Sequence, residues 1–382
     1  MTKRLRIGYV PLTDAALLHV AEARHFAAAR GVEIELVADS SWANIRDKLV
    51  AGHFDAAHML APAAIAASLG IGQIEAPLVA PVALGLNGNA ITVSKALYKA
   101  LLEDAQGDIA DPRVTAKALA RIAARRRERG EAPVTRGHVF PFSSHHYQLR
   151  LWLRAGRLNP EEDVRLAVVP PPFMVETLQK RQLDGFCVGA PWSAVAVAVA
   201  AGTILHQGKD IVRDCPEKVL AFRAEWARSH AKDVHTLTEA VGDASRWAVA
   251  PSNRDALVAL LTNTAVQDVS ARTIERAFES PASPSSSTRT ATGLRLDEGA
   301  IKADPAQALW LYAQMAAAGQ TVYSPVQAEA AAAYAPALGP PISRPAAIPV
   351  AFDGPAFSPN DIPSYLAAVA ALAAPEAGHL RS

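Results

Sequence analysis

A chain of 382 residues, half of them apolar and a fifth charged, is long enough for two compact units and has an ordinary globular composition. Its formal net charge of +1 offers neither a nucleic-acid coat nor a polybasic membrane patch. The two cysteines, Cys187 and Cys215, stand at no metal-ligand spacing and fit a reducing compartment.

The chain opens with basic residues, as a signal peptide does, but Pro11 and Asp14 interrupt the apolar part within a few positions. "LRIGYVP" reads instead as a first buried strand. The longest apolar run, around "SAVAVAVAAGTIL", falls short of the ~20 residues of a membrane helix, so a soluble, cytoplasmic protein is expected. "DAALLHVAEARHFAAARG" reads as a helix closed by Gly31. "VEIELVAD" is a second strand, followed by a helix that Trp42 opens, with Ser41 placed to cap it and Ile45 and Leu49 on one face. "DAAHMLAP" (strand), "AAIAASLG" (helix) and the apolar run "PLVAPVALGL" complete the first set.

A second set starts at "NAITVS". The charged helix "ADPRVTAKALARIAARRRERGE" leads to the strand "GHVFPF", the helix "HHYQLRLWLRAG" and the strand "DVRLAVVPP". The helix "FMVETLQKRQLDG", the strand "FCVG" and the helix "PWSAVAVAVAAG" follow. From "EKVLAFRAEW" onward the pattern is mostly helical; residues 280–299 are Ser/Thr/Pro-rich and read as a linker, and the rest is expected to be peripheral. This alternation points to an α/β fold with parallel strands covered by helices.

In such sheets ligands collect beyond the carboxyl ends of the strands. Trp42, Asn87 to Asn89, Ser143 to His146, Gly189 to Trp192 and Lys218 occupy those positions. They supply an aromatic face, amides, an imidazole, backbone N–H groups and one ammonium, a set suited to a small anion. Pro191 is read as the first residue of a helix that aims its N–H groups at the strand tips. No carboxylate pair is read among them: Asp39 serves its helix start, and Glu217, beside Lys218 in an extended stretch where neighbours point to opposite faces, need not share the pocket. Each residue also has a structural reading. Trp42 can be core packing, His58 a satisfied core histidine, His145 and His146 a helix start, Lys218 a solvated cation, and Arg125 to Arg127 a wet helix face. Ser143, Ser144 and His145 are too close in sequence for a triad, and neither G-x-S-x-G nor G-x-x-x-x-G-K is present.

"IGYVPLTDAALLHVA", "SWANIRDKLVAGHFDAAHMLAP", "LNGNAITVS", "CVGAPW" and "PEKVLAF" together resemble the nitrate- and bicarbonate-binding proteins of ABC transporters, over roughly residues 4–280. The resemblance implies the two-lobed α/β fold of type II periplasmic binding proteins, with the ligand cleft between lobes. Lobe I would join residues 1–90 to 215–382, and lobe II would be 91–214. It implies an anion site of Trp42, Asn89 (where transporter relatives tend to carry Gln), His145 (with His146 competing), Gly189 and Lys218. Trp42, Asn89 and Lys218 would then lie on lobe I, His145 and Gly189 on lobe II. No catalytic residue, metal or cofactor is implied. Bicarbonate-binding relatives carry an acid in place of the lysine, so Lys218 favours nitrate or nitrite, which only accept hydrogen bonds.

Since no export signal is read, the resemblance is closest to the cytoplasmic nitrate/nitrite sensors of nitrate assimilation. These release an RNA-binding antitermination regulator when nitrate binds, and Arg125, Arg126 and Arg127 offer one docking face. The alternatives are an ABC-transporter binding protein lacking its leader and an enzyme on this fold related to thiamine-pyrimidine synthesis. The missing Cys and acidic constellation argues against the enzyme.

Overall fold

The computed structural model describes residues 3–266, 269–278, 293–335 and 348–373. The first four strands are β1 (Lys3–Tyr9), β2 (Val32–Ala38), β3 (Ala56–Leu60) and β4 (Leu78–Ala83). They are followed by β5 (Asn89–Ser94), β6 (Val134–His138), β7 (Val164–Val168), β8 (Gly185–Gly189) and β9 (Gly202–Gln207). Last come the short β10 (Val212–Arg213), β11 (Lys218–Arg223) and β12 (Val350–Ala351). Two five-stranded sheets result, in the orders β2-β1-β3-β11-β4 and β7-β6-β8-β5-β9.

The two sheets share one plan. Three strands in each are parallel: β1 pairs with β2 and β3, and β6 with β7 and β8. The fourth strand, β11 or β5, runs antiparallel to both neighbours. All-parallel strands were expected. β5 and β11 each enter their sheet by a crossing from the other lobe, so no helical crossover fixes their direction. The crossings also correct a boundary: Asn89, expected on lobe I, pairs with Gly189 at the start of β5 and belongs to the second sheet.

Local sequence explains the elements that bear on the cleft. In β1, Leu5, Ile7 and Tyr9 turn inward, while Arg4 and Arg6 stay exposed. Gly8 is required, because a Cβ there would lie 2.3 Å from the Phe54 ring. β3 is buried at every position, as befits a central strand. The helix Trp42–Val50 starts where Ser41 accepts a hydrogen bond from the Asn44 N–H, and it buries Trp42, Ile45 and Leu49.

The segments 84–89 and 212–218 join the lobes and are tied to each other. Asn87 N–H donates to the Cys215 carbonyl at 2.9 Å, and Cys215 N–H donates to Asn87 Oδ1 at 3.0 Å. Asn87 has φ of 63°, a left-handed conformation that Asn tolerates. Gly85, at φ 139°, lies so close to Arg295 that a Cβ would come within 2.7 Å of its carbonyl oxygen. Of the expected linker, residues 280–292 lie outside the described residues. Leu294 and Leu296 are buried beside this crossing, and Arg295 pairs with Asp214 at 2.6 Å.

The C-terminal segment is not peripheral. Helix Pro305–Ala317 is apolar on nearly every face, and Trp310, Leu311, Tyr312, Ala313 and Met315 are all buried. It packs on helix Ala61–Ser68 of the first lobe. Its C-terminal end reaches the second lobe, where Arg154 donates to the Ala317 carbonyl at 2.5 Å and Tyr147 donates to Gln320 at 2.8 Å. β12 pairs with β10 near the crossing. The segment therefore fastens both lobes. One hydrophobic cluster runs from Trp42, Ile45 and Met59 through Tyr147, Trp152 and Phe186 to Trp310 and Met315. Each fully buried Leu, Met or Phe of this kind contributes about 1.5–3 kcal/mol relative to exposure.

Candidate functional site

The carboxyl ends of β1 and β3 face those of β6 and β8 across the lobe contact, and there the chain places a buried charged centre. Lys218 opens β11, is 1% exposed, and holds its Nζ 2.8 Å from Asp14 Oδ2 and 2.6 Å from Glu217 Oε2. The Trp42 ring covers it, with Nζ 5.5 Å from the ring centroid, close enough for a cation–π contact. His58 meets the same ring edge-on at 5.2 Å between centroids and brings Nε2 to 3.1 Å from Asp14 Oδ1.

The second lobe supplies the opposite wall. Asn89 Nδ2 donates to Glu217 Oε1 at 2.5 Å and to Gln148 Oε1 at 3.1 Å, while Gln148 Nε2 donates to the Gly208 carbonyl at 3.2 Å. His145, on helix Ser144–Ala155, points Nε2 to 3.9 Å from Glu217 Oε2. Gly189 ends β8 between the walls: a Cβ there would stand 3.3 Å from Asp14 Oδ2, 3.6 Å from Asn89 Oδ1 and 3.8 Å from His145 Nε2. Two hydrogen bonds close the rim, with Thr13 N–H donating to the Ala190 carbonyl at 2.9 Å and the Ser144 hydroxyl donating to the Pro216 carbonyl at 2.6 Å.

All five residues expected at an anion site thus converge. His145 faces the charged centre, whereas His146 packs at a tilt against His138, 4.7 Å between centroids, and edge-on against Tyr147, away from it. Three expectations need correction. Asp14 and Glu217 form the carboxylate pair thought absent. Strand alternation gave no reason to place Glu217 in the pocket, but it precedes β11, next to Pro216, so alternation does not apply and its side chain turns across to Asn89. Asp14 sits in a short 3₁₀ turn after β1, at a strand end like the others. Pro191 is not the first helical residue; it precedes the seven-residue helix Trp192–Ala198. His58, read as structural, is fully buried and borders the centre through Asp14.

The electrostatics follow from burial. Burial would depress the Lys218 ammonium, but Asp14 and Glu217 outweigh it and raise its pKa. Burial would raise the Asp14 carboxyl, yet Lys218 and His58 hold it well below the carboxylate range. Glu217 differs: burial, with Asp14 adding to it, leaves its carboxyl raised in spite of Lys218 and Asn89. Burial and then Lys218 push His145 well below its ordinary value, and burial lowers His58 despite Asp14. At neutral pH the centre holds one cation, two carboxyl groups and neutral imidazoles.

Several polar atoms here are buried without a hydrogen-bond partner among the described residues. They are Trp42 Nε1, both ring nitrogens of His145, Nδ1 of His58 and Asn89 Oδ1. Native interiors leave few such groups, so a cluster of them marks a place where a small polar ligand completes the bonding. Covalent chemistry is poorly provided for. Burial raises both thiols, Cys187 and Cys215, and Ser143 and Ser144 spend their hydroxyls on the Phe140 and Pro216 carbonyls. No group of His, Cys, Asp and Glu able to hold a metal occurs among the described residues. No helix among them is long and apolar enough to cross a membrane.

Residues 1–262 match the NMT1-like family. The chain belongs to the NMT1-like family. Among relatives, the nitrate/nitrite binding protein NrtA of Nostoc sp. is 30% identical over 282 residues, covering 72% of this chain and 61% of that protein. The nitrate import ATP-binding protein NrtC of Synechocystis sp. is 35% identical over 64% of this chain and 34% of its own length. The bicarbonate transport ATP-binding protein CmpC of Synechococcus elongatus is 34% identical over 68% of this chain and 37% of its own. This NMT1-like chain thus spans about a third of the length of the two ATP-binding relatives. The crystal structure of the periplasmic nitrate-binding protein NrtA from Synechocystis superposes with a TM-score of 0.82 at 24% identity, over 96% of this chain and 98% of that one. The alkanesulfonate-binding protein SsuA from Xanthomonas axonopodis gives 0.56 at 15%, over 81% of this chain and 93% of that one. The NMT1-like chain has the two-lobed periplasmic-binding-protein fold.

The basic helix lies elsewhere. Arg125 pairs with Asp104, Arg126 with Asp184 at 2.8 Å and Arg127 with Asp163 at 3.0 Å, all within the second lobe.

Proposed function

We propose that the cleft captures one small monovalent oxyanion, nitrate or nitrite, and that the protein works as a substrate-binding protein of the ABC-import type. One observation carries this reading: a fully buried ammonium, Lys218, lies under Trp42 at the lobe contact, surrounded by donors on Trp42 and His145 that lack partners. The names of the NrtA relatives lend it support. Trp42, Asn89, His145, Gly189 and Lys218 are the proposed binding residues. A micromolar constant, about −8 kcal/mol, suits four or five donors around one buried charge.

Thermal melting with nitrate, nitrite, bicarbonate and sulfate tests the reading. Nitrate or nitrite at about a hundredfold excess over its constant adds about 2.7 kcal/mol to stability, and bicarbonate adds far less. Equal shifts with all four anions, or none with nitrate, would overturn it.

The finer reading, a cytoplasmic sensor that releases an RNA-binding antitermination regulator on nitrate binding, rests on the sequence resemblance. The comparisons favour the transport-type protein. If a partner prefers the open lobes and nitrate the closed ones, each must weaken the other. A pull-down from native lysate with and without nitrate separates the two readings. Loss of an RNA-binding partner on adding nitrate favours the sensor; equal recovery removes it.

A further inference from the structure

The anion site proposed above contains a carboxyl group that such a site does not obviously want. Lys218 is already neutralised by Asp14 at 2.8 Å, and Glu217 at 2.6 Å brings a second negative charge. With neutral His58 and His145 the centre carries a formal charge of −1, and all three charged side chains are at most 5% exposed. A monovalent anion would make it −2 in a place shielded from water, which costs heavily. Something must leave, or a proton must enter.

The charged groups are fixed by the fold. Lys218 opens the buried strand β11, and Asp14 lies in a buried turn whose neighbour Thr13 is bonded to Ala190. Glu217 Oε1 accepts from Asn89, but Oε2 meets the ammonium and faces His145 Nε2 at 3.9 Å, so this oxygen borders the space where an anion would sit. A carboxylate oxygen there repels the anion; a carboxylic acid O–H donates to it.

We infer that Glu217 takes up a proton when the anion binds, so that the site captures an oxyanion and a proton together. The step is balanced simply: a solvent proton forms an O–H bond at Oε2, no covalent bond breaks, and the centre returns to −1. The inference rests on the anion-binding reading and deepens it.

The groups facing Glu217 agree with this assignment. From β11 comes Lys218, from the turn after β1 Asp14, from helix Ser144–Ala155 His145, and from the surrounding strands and crossing the thiols Cys187 and Cys215. Lys218 and His58 keep Asp14 ionised, burial keeps His145 deprotonated and both thiols protonated, and Glu217 alone has a carboxyl raised toward neutrality. An added anion raises it further. Affinity is therefore greatest at low pH and falls, by at most about tenfold per pH unit, as pH rises between the free and the anion-bound pKa of Glu217.

Titration calorimetry with potassium nitrate tests this, in pairs of cationic buffers of unlike ionisation enthalpy at several values between about pH 5 and 8.5. The slope of observed heat on buffer heat gives the protons taken up. It should approach about one per anion within that range, with affinity weakening as pH rises. Glu217→Gln, whatever its affinity, should bind without proton uptake and with a flat pH profile; if it does not bind, the wild-type slope decides alone. Nitrate binding by the wild type without uptake or pH dependence would overturn the inference and leave the anion site standing. So would undiminished uptake in Glu217→Gln. No nitrate heat at any pH would overturn the anion-binding reading itself.

Discussion

The two walls of the cleft differ in kind. The first lobe brings the charge, with Asp14 and Lys218 in direct contact under Trp42 and beside His58, and Glu217 on the crossing next to them. The second lobe brings neutral groups only: Asn89, His145, Gln148 and the bare backbone of Gly189. A charged pair can persist on one lobe whether the cleft is open or shut, because Asp14 and Lys218 do not need the other wall. The neutral wall completes the site only on contact, which is how a ligand touching both walls comes to favour closure. The C-terminal segment spans both lobes through Arg154 and Tyr147, so closure moves against that strap as well.

Breaking the charged wall should have the largest effect. Lys218→Glu leaves three carboxyl groups together, so nitrate binding becomes undetectable by calorimetry. The fold also suffers: uncompensated buried charge costs about 3–5 kcal/mol, read as a large fall in melting temperature. Lys218→Glu binding nitrate with wild-type affinity would refute the role given to the ammonium. Trp42→Ala removes the cover from that wall. Loss of a buried Trp costs about 3–5 kcal/mol of stability, and loss of the cation–π contact weakens anion affinity by about 0.5–2 kcal/mol.

Changes to the neutral wall should be felt in binding more than in folding. Asn89→Ala takes the donor from Glu217 Oε1 and is expected to cost about 1–3 kcal/mol in melting or in affinity. Gly189→Ala puts a methyl 3.3 Å from Asp14 Oδ2; it should leave the melting temperature nearly unchanged while weakening nitrate. Equal losses of stability from Gly189→Ala and Trp42→Ala would erase the distinction between the walls.

The pH dependence of folding gives a smaller, separate test. Burial holds His19 and His138 down to about 4, the backbone Phe140 contact opposing the shift in His138. A histidine whose folded pKa is depressed favours the fold fully above its unfolded value and loses that advantage as pH falls toward the folded one. Stability should therefore drop between about pH 6.5 and 4, by up to roughly 3 kcal/mol for each of the two. Melts at constant ionic strength check it; a flat profile over that window would contradict the burial. Smallest of all, Arg127→Ala removes an exposed pair with Asp163 and should change stability by under about 1 kcal/mol.

The cleft was legible where a simple rule applied. Trp42, His145 and Gly189 stand where strands give way to helices or turns, Lys218 stands at the first position of a strand, and strand-end position plus side-chain or backbone donors is enough to group them. The same rule would have named Asp14, which follows the end of β1, had that strand's end been treated like the rest. Glu217 was beyond it: two-residue alternation holds inside a strand, and Glu217 lies one residue before β11. The boundary before Asn89 is not legible because β5 enters its sheet antiparallel, a pairing over more than ninety residues that local pattern does not encode. The burial of helix Pro305–Ala317 did have a signal, in apolar residues all round its surface.

The most direct test of the central claim, that Lys218 makes this cleft an anion site, is a pair of calorimetric titrations with nitrate at fixed pH. The wild type and Lys218→Met, which removes the charge while keeping a long apolar stem, are each checked for a cooperative melt. The account predicts one nitrate per wild-type chain and no measurable binding by the folded variant. Binding of similar strength in both proteins, or no binding in the wild type, would contradict it.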